Sequence, residues 1–218
     1  MAREKKQKKP FFKRIWVWVV IIIIAIAAFG SLGGNKSTTA NKEDTSSSSN
    51  TSSKKSSSTT TVDTKGATKS QLGALLKAKS YSSMMHMSKQ GVFAQLTASA
   101  GDQYSDEDAQ YAVDHLKADY NANALKTAKA YSDQQSMSKE GIRQQLIATA
   151  GDKFTESEAQ YAVDNLKADY NKNALNTARD YKNQQGMSSD AIREQLTSSY
   201  GEQFTAQEAD YAIQHLGN

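Results

Sequence analysis

The sequence predicts an all-α protein in which three tandem helix-turn-helix-like repeats follow an N-terminal transmembrane helix and a disordered linker. Three observations predict this architecture. The same residues recur at intervals of 50, which is typical of repeat proteins. Residues 15–29 form an apolar run without any charge. Proline occurs once in 218 residues, at Pro10, which suits long helices.

The first two segments predict a membrane anchor. Residues 1–14 form a basic tail, with seven Lys or Arg against one acid. The apolar segment 15–32 has 18 residues, and a helix of that length covers about 27 Å, close to the hydrocarbon thickness of a bilayer. Trp16 and Trp18 lie at the end where indole rings favour the lipid headgroups. Because basic residues stay on the cytoplasmic side, we expect a single-pass cell-membrane protein with a cytoplasmic N-terminus and extracellular repeats.

A cleavable signal peptide is the alternative interpretation of the same segment. The basic start fits it, and Ala25-Ile26-Ala27 supplies small residues at the spacing of a cleavage site. Both interpretations place the chain from residue 35 onwards outside the membrane.

Residues 33–69 are predicted to form a disordered linker. Ser and Thr make up 20 of the 39 residues from 31 to 69, and so polar a segment cannot bury enough apolar surface to offset its chain entropy. As a flexible coil it has an end-to-end distance of about 35 Å. It is either a stalk that carries the repeats away from the membrane or a linker with no further role.

The remaining chain divides into helical repeats at 70–119, 120–169 and 170–218. Repeats two and three are identical at 24 of 48 positions when 120–167 is aligned with 170–217. The residues that recur in all three repeats are Tyr81, Tyr131 and Tyr181, Met87, Met137 and Met187, and Gly101, Gly151 and Gly201. Because 50 residues alone make a marginal domain, we expect neighbouring repeats to pack on each other.

The middle repeat predicts the helices of all three. Its first helix carries apolar residues on one face. Ser138 is the predicted N-cap of the second helix, which carries Ile142, Leu146 and Ala150 at helical spacing, and Gly151 is its predicted C-cap. The Asp-Tyr-Asn segments at 119–121 and 169–171 are either short breaks between helices or points that one long helix crosses.

The third helix of each repeat begins with a capping-box pattern, which is Thr155 with Glu158 in the middle repeat. Asp108 takes the place of Glu158 in the first repeat, and we expect that box to be weaker because Asp is shorter. Recurring aromatic residues at helical spacing are predicted to pack in the core rather than to bind a ligand; in the middle repeat they are Tyr131, Phe154, Tyr161 and Tyr170.

Several kinds of chemistry are excluded. The chain has no cysteine, and His86, His115 and His215 are not spaced to bind a metal, so we expect no cofactor and no metal. No catalytic motif occurs, and we expect no enzymatic activity. Residues 70–218 hold 14 basic and 19 acidic residues, although the whole chain has a net charge of +4. Nucleic-acid binding is therefore not expected, because phosphate contacts need a basic face.

Acidic residues recur in or beside the first turn of the third helix of each repeat. There they complement the helix dipole, and this structural role competes with a binding role. As candidate contacts for a basic protein partner outside the membrane we select Asp106, Glu107, Asp108, Glu156, Glu158, Glu208 and Asp210.

The repeat resembles that of a known family. The matching segments are AL..A..Y, MSKEGI, GDKFT, EAQYAVDNL and the following D-aromatic-N-x-N-AL within residues 123–176. This combination is similar to the repeat of the host cell surface-exposed lipoprotein family, of the Ltp type. The resemblance implies an all-helical repeat displayed on the surface of low-GC Gram-positive bacteria, and phage-encoded members act in superinfection exclusion by stopping the DNA of an incoming phage from entering.

Two features depart from that family. The lipobox cysteine is missing, so the apolar segment 15–32 would replace the lipid as the anchor. Tyr120 and Tyr170 stand where the family usually has Trp. Our leading hypothesis is a non-catalytic, membrane-anchored surface protein whose repeats bind a partner outside the membrane. In the version of this hypothesis in which the protein excludes phage, that partner belongs to the injection machinery of the phage. The alternatives are a module that binds the cell wall or a host surface, and a structural stalk without a specific ligand.

Overall fold

A computed structural model describes residues 66–217 of the chain. Within that range there are nine α-helices and no strand, which confirms the all-α prediction. The helices are α1 (Lys69–Met85), α2 (Lys89–Thr97), α3 (Asp106–His115), α4 (Tyr120–Gln135), α5 (Lys139–Ile147), α6 (Glu156–Asn165), α7 (Tyr170–Gln185), α8 (Ser189–Thr197) and α9 (Ala206–His215). Each repeat contributes one long helix and two short ones.

The predicted basic tail, the predicted membrane anchor or signal segment and most of the predicted linker lie outside the described residues. Among the helices of residues 66–217, none combines the length and the apolar character needed to cross a bilayer.

Side-chain caps determine where the short helices begin. The hydroxyl of Ser138 accepts a hydrogen bond from the backbone N–H of Gly141 at 3.0 Å, so Ser138 is the N-cap that the sequence predicted. Ser88 and Ser188 cap the equivalent helices of the other two repeats. These oxygens satisfy backbone N–H groups that have no partner inside the helix.

The predicted capping boxes form in two of the three repeats. Thr155 and Glu158 cap each other's backbone N–H groups at the start of α6, as do Thr205 and Glu208 at the start of α9. In the first repeat Ser105 caps α3, but Asp108 does not reach back to the Ser105 N–H. The prediction that the first box would be weaker is confirmed.

The second helix of each repeat ends earlier than the sequence suggested. The helix α5 ends at Ile147 and its C-cap is Ala148, so the prediction of Gly151 as the cap was wrong, and Ala150 lies exposed in the turn rather than on the helix. Gly151 is required for a different reason. A Cβ atom there would lie 2.9 Å from the carbonyl oxygen of Gln145, which is too close for any other residue.

Each repeat has its own apolar core. In the middle repeat the long helix α4 packs most extensively against α6, with fully buried alanines on both helices, and α5 closes the bundle. Small side chains at the contact let two helices approach closely. The core of this repeat consists of Ala124, Ala128, Met137, Ile142, Leu146, Phe154, Ala159, Ala162 and Val163, and equivalent clusters form in the other two repeats.

The aromatic residues do not all join the core. Phe154 is buried, and Tyr131 and Tyr170 pack against the core of the middle repeat, as predicted. Tyr161 is 42% exposed, so its placement in the core was wrong. The Asp-Tyr-Asn segments are breaks between helices, because α6 ends at Asn165 and α7 begins at Tyr170 with Asp169 as its N-cap.

Candidate partner-binding surface

The candidate acids lie near the N-termini of α3, α6 and α9. Those of the first two repeats occupy the first turn of their helix, as does Glu208 in the third repeat, whereas Asp210 lies just past that turn. No hydrogen bond or ion pair within residues 66–217 connects the candidate acids of one repeat with those of another.

Three of the seven acids complete local structure. The carboxylate of Glu158 accepts a hydrogen bond from the Thr155 N–H at 2.8 Å, and Glu208 does the same for Thr205. Asp108 instead accepts a hydrogen bond from the hydroxyl of Ser70 at 2.6 Å, which connects the starts of α1 and α3. A partner that took over these carboxylates would have to compete with contacts inside the repeat.

Two further acids form ion pairs with arginines of the preceding helix. Glu156 lies 2.8 Å from a guanidinium nitrogen of Arg143, and Asp210 accepts a hydrogen bond from Arg193 at 2.5 Å. The hydrogen bond from Arg193 holds the pKa of Asp210 below its usual range. Both pairs are solvent-exposed, and such pairs contribute little to stability and are screened by salt.

Asp106 and Glu107 remain. Both are exposed, and within the part of the chain that the structure describes their carboxylates make no hydrogen bond or ion pair. They are consecutive residues in the first turn of α3. Of the seven predicted contacts, these two are the ones that a basic partner would meet without displacing an existing bond.

The histidines make structural contacts. His115 and His215 stack on Tyr111 and Tyr211, with ring centroids 3.9 and 4.0 Å apart. His86 is the left-handed C-cap of α1. Among residues 66–217 no group of His, Cys, Asp and Glu side chains could hold a metal ion.

A tyrosine–acid hydrogen bond recurs inside each repeat. The hydroxyl of Tyr131 donates to the carboxylate of Asp152 at 2.6 Å, and the same bond joins Tyr81 to Asp102 and Tyr181 to Glu202. Burial raises the pKa of Asp152 to about 6. The acid of the first repeat behaves differently: burial also acts on Asp102, but hydrogen bonds from Tyr81 and Lys77 outweigh it and hold its pKa below the usual value.

Sequence reasoning missed the residues that join one repeat to the next. Asn123, 6% exposed, donates to the hydroxyl of Ser82 at 2.8 Å and to the carbonyl of Met87 at 3.0 Å, both in the preceding repeat. The hydroxyl of Ser88 donates across the same boundary to the carbonyl of Asp152. We call this set of contacts the joint.

The second joint repeats the first almost bond for bond. Asn173 donates to Ser132 and to the carbonyl of Met137, both at 2.9 Å, and Ser138 donates to the carbonyl of Glu202. The sequence did contain a signal. Asn recurs at 123 and 173, each beside a recurring alanine, and polar groups that are buried in a protein are nearly always hydrogen-bonded.

The fold and these contacts define a class: an all-helical tandem-repeat protein with separate cores and polar joints. The chain matches the sequence pattern of one family, which is described as host cell surface-exposed lipoprotein. It matches this pattern three times, at residues 70–116, 119–166 and 169–216. The chain therefore belongs to the host cell surface-exposed lipoprotein family, as the resemblance predicted. The members of this family are surface-exposed, non-enzymatic proteins.

A solved structure is also similar to part of the chain. It is that of Ltp, a superinfection exclusion protein from the Streptococcus thermophilus temperate phage TP-J34. The two chains are 46% identical over a match that covers 46% of this chain and 99% of the other, with a TM-score of 0.43. A comparison with curated proteins gave no match.

Proposed function

We propose that this protein is a non-catalytic surface protein that prevents the DNA of an incoming phage from entering the cell, that is, a superinfection exclusion protein. The observation that carries the proposal is the threefold match to the family of host cell surface-exposed lipoproteins. The family that the repeats resemble includes phage-encoded members with this activity.

The proposal includes a membrane anchor at residues 15–32. The family is one of lipoproteins, yet these 218 residues contain no cysteine to which a lipid could be attached. An apolar segment of 18 residues behind a basic tail supplies an anchor of another kind and leads to the same surface.

The proposed partner is a basic protein segment of the phage injection machinery, outside the membrane. Asp106 and Glu107 support a contact of this kind, since their carboxylates are exposed and make no ion pair within residues 66–217. The acidic balance of residues 70–218 would attract a basic partner and make the association weaker at high salt.

The test follows phage DNA in a sensitive Gram-positive host. The full-length protein is compared with residues 66–218, which keep the Thr68 cap of α1 but lack the anchor, and adsorption and DNA entry are scored separately. We expect normal adsorption with blocked entry only for the full-length protein. Unchanged entry of every phage matched to the strain of origin would overturn the proposal, and retention of the fragment on purified walls would favour the wall-binding alternative.

The acids are tested by charge removal. Asp106→Asn with Glu107→Gln should weaken the block of DNA entry and reduce its dependence on salt. The matched control removes two exposed acids of α8, with Asp190→Asn and Glu194→Gln, at the same change in net charge. Equal effects of the two double variants would mean that overall charge, and not this site, attracts the partner.

A further inference from the structure

The first repeat has no repeat before it in the array and the third has none after it, and we call the two faces left over in this way the outer faces. On the outer faces, several of the residues that form the joint are replaced by others. In the joints, an Asn of the following repeat bonds a Ser of the preceding one. The first repeat has Gly73 at the Asn position, and the third repeat has Lys182 at the Ser position. A Thr that donates to the preceding repeat at both joints, Thr127 and Thr177, is replaced in the first repeat by Lys77.

The backbone of the joint is nevertheless repeated on both outer faces. The third repeat keeps the capping serine, Ser188, and the helix end at Gly186 and Met187. The first repeat keeps the turn at Asp102 that in the later repeats accepts the serine hydroxyl. Two faces that complement each other head to tail on one molecule generate open chains of molecules.

The replacement side chains are held on their own repeat. The ammonium group of Lys77 forms an ion pair with Asp102 at 2.9 Å, and that of Lys182 donates to the carbonyl of Gly217. The glycine at position 73 is accompanied by a second difference, because Tyr104 of the first repeat occupies the position of Phe154 and Phe204 in the later repeats. A Cβ atom at position 73 would lie 3.0 Å from the hydroxyl of Tyr104. A side chain at position 73, such as the joint Asn, would therefore have to displace the side chain of Tyr104.

We propose that Gly73, Tyr104, Lys77 and Lys182 block the two outer faces against a second copy of this chain, so that molecules at the surface do not join head to tail through the joint. A second copy placed as a fourth repeat would find no Asn donor. It would also bury the ammonium group of Lys182, because the equivalent Ser82 and Ser132 are buried at the existing joints, and burying an unpaired charge opposes association. This inference does not depend on the proposed function.

The test uses the full chain in detergent and restores the joint on one face at a time. One variant carries Lys182→Ser and the other carries Gly73→Asn, Lys77→Thr and Tyr104→Phe. For cross-linking, Gly186→Cys is added to the first and Leu76→Cys to the second, because the equivalent side chains of Ser136 and Asn176 lie 3.2 Å apart at the second joint. The chain has no other cysteine, so a short bis-maleimide reagent can link only these two positions.

We expect a cross-linked pair when the two restored variants are mixed, and a yield at least tenfold lower when the same cysteines are placed in chains with unchanged outer faces. A single chain with Ser136→Cys and Asn176→Cys is the control that the reagent spans the joint, and circular dichroism checks that each variant is folded. Equal yields for restored and unchanged faces, or no pair from folded restored variants while the control reacts, would overturn the proposal.

Discussion

The interior of a repeat and the joint between repeats are held together by different physics. The interior of the middle repeat is apolar, with Ile142 and Leu146 fully buried among alanines. The joint is polar, and its buried side chains are Asn and Ser that donate to hydroxyls and carbonyls of the neighbouring repeat. Each core cluster of residues 66–217 takes its buried residues from one repeat, and the half-buried Tyr170 at the start of the third repeat packs against the core of the middle one.

The two kinds of contact have different consequences, since the apolar interiors mainly stabilise the repeats and the polar joints mainly fix the geometry between them. Apolar burial is non-directional and supplies the larger share of the free energy of folding. Hydrogen bonds contribute less on balance, but they are directional, and leaving one buried partner unsatisfied is costly. The repeats are thus stabilised from within, while the joints determine how each repeat is placed on the one before it.

The largest effect is expected from the core. Ile142→Ala removes a fully buried side chain and should lower the free energy of unfolding of the middle repeat by about 2–5 kcal/mol. Ile192→Ala is the matched change in the third repeat. Hydrogen exchange measured repeat by repeat should show the loss of protection mainly in the repeat that is changed. Equal loss in all three repeats would contradict the separation of core from joint.

The next effect is a dependence of stability on pH, and it concerns the acid that accepts the tyrosine hydrogen bond in the middle and first repeats. Asp152 has a pKa of about 6, raised by burial, so the folded state holds its proton more tightly than the unfolded state. Its contribution to stability is complete below about pH 4 and is lost as the pH rises through 6, a difference of about 3 kcal/mol. Asp152→Asn keeps an acceptor for Tyr131 and should remove this dependence, as thermal unfolding between pH 4 and pH 7 would show.

Asp102 should respond in the opposite direction. Its pKa lies below the usual value, so its contribution is present above the unfolded pKa of about 4 and is lost as the pH falls through its folded pKa. Asp102→Asn is therefore expected to destabilise the first repeat at pH 7 and to have a progressively smaller effect as the pH falls below about 4. If Asp102→Asn and Asp152→Asn changed the pH dependence of stability in the same direction, the neighbouring residues would not determine the pKa values of these two acids.

A smaller effect is expected at the joint. Asn173→Ala leaves the hydroxyl of Ser132 and the carbonyl of Met137 without their donor and should cost about 1–3 kcal/mol. Hydrogen exchange should increase on both sides of the second joint and stay unchanged at the first. Asn183→Ala, an exposed change on the same helix, is the control. An effect confined to the third repeat would mean that Asn173 supports its own helix rather than the joint.

The smallest effect is a gain. The hydroxyl of Tyr170 is buried and has no hydrogen-bond partner within residues 66–217. Tyr170→Phe should therefore raise the free energy of unfolding by up to about 1 kcal/mol, because it removes a polar group that pays desolvation without a bond. Tyr181→Phe removes a hydroxyl that donates to Glu202 and should lower stability instead. A loss in both variants, measured by chemical denaturation, would mean that the Tyr170 hydroxyl does have a partner.

Local signals allowed the helices to be predicted from the sequence, and non-local contacts limited the rest. Ser138 and the Thr155–Glu158 box act within one turn of chain, so their roles could be derived from spacing. Gly151 was misplaced because a glycine near a helix end favours a left-handed cap, whereas in this turn Lys153 has the positive φ and the glycine is needed for close approach to Gln145.

The joint lay beyond prediction for the same reason. Asn123 bonds partners 41 and 36 residues earlier in the chain, so its recurrence at position 173 singles it out but does not show which groups it bonds. The acids of the candidate surface were predicted by type and position, but spacing could not show that Glu158 is engaged in a cap while Asp106 and Glu107 remain exposed.

Separate cores also have a mechanical consequence. A chain pulled between the cell and an object outside it would not have to open as a whole. One repeat can unravel while its neighbours keep their cores, and its 50 released residues span at most about 170 Å when fully extended. The array would therefore extend in steps, and each step would absorb work and limit the force that reaches its attachment point.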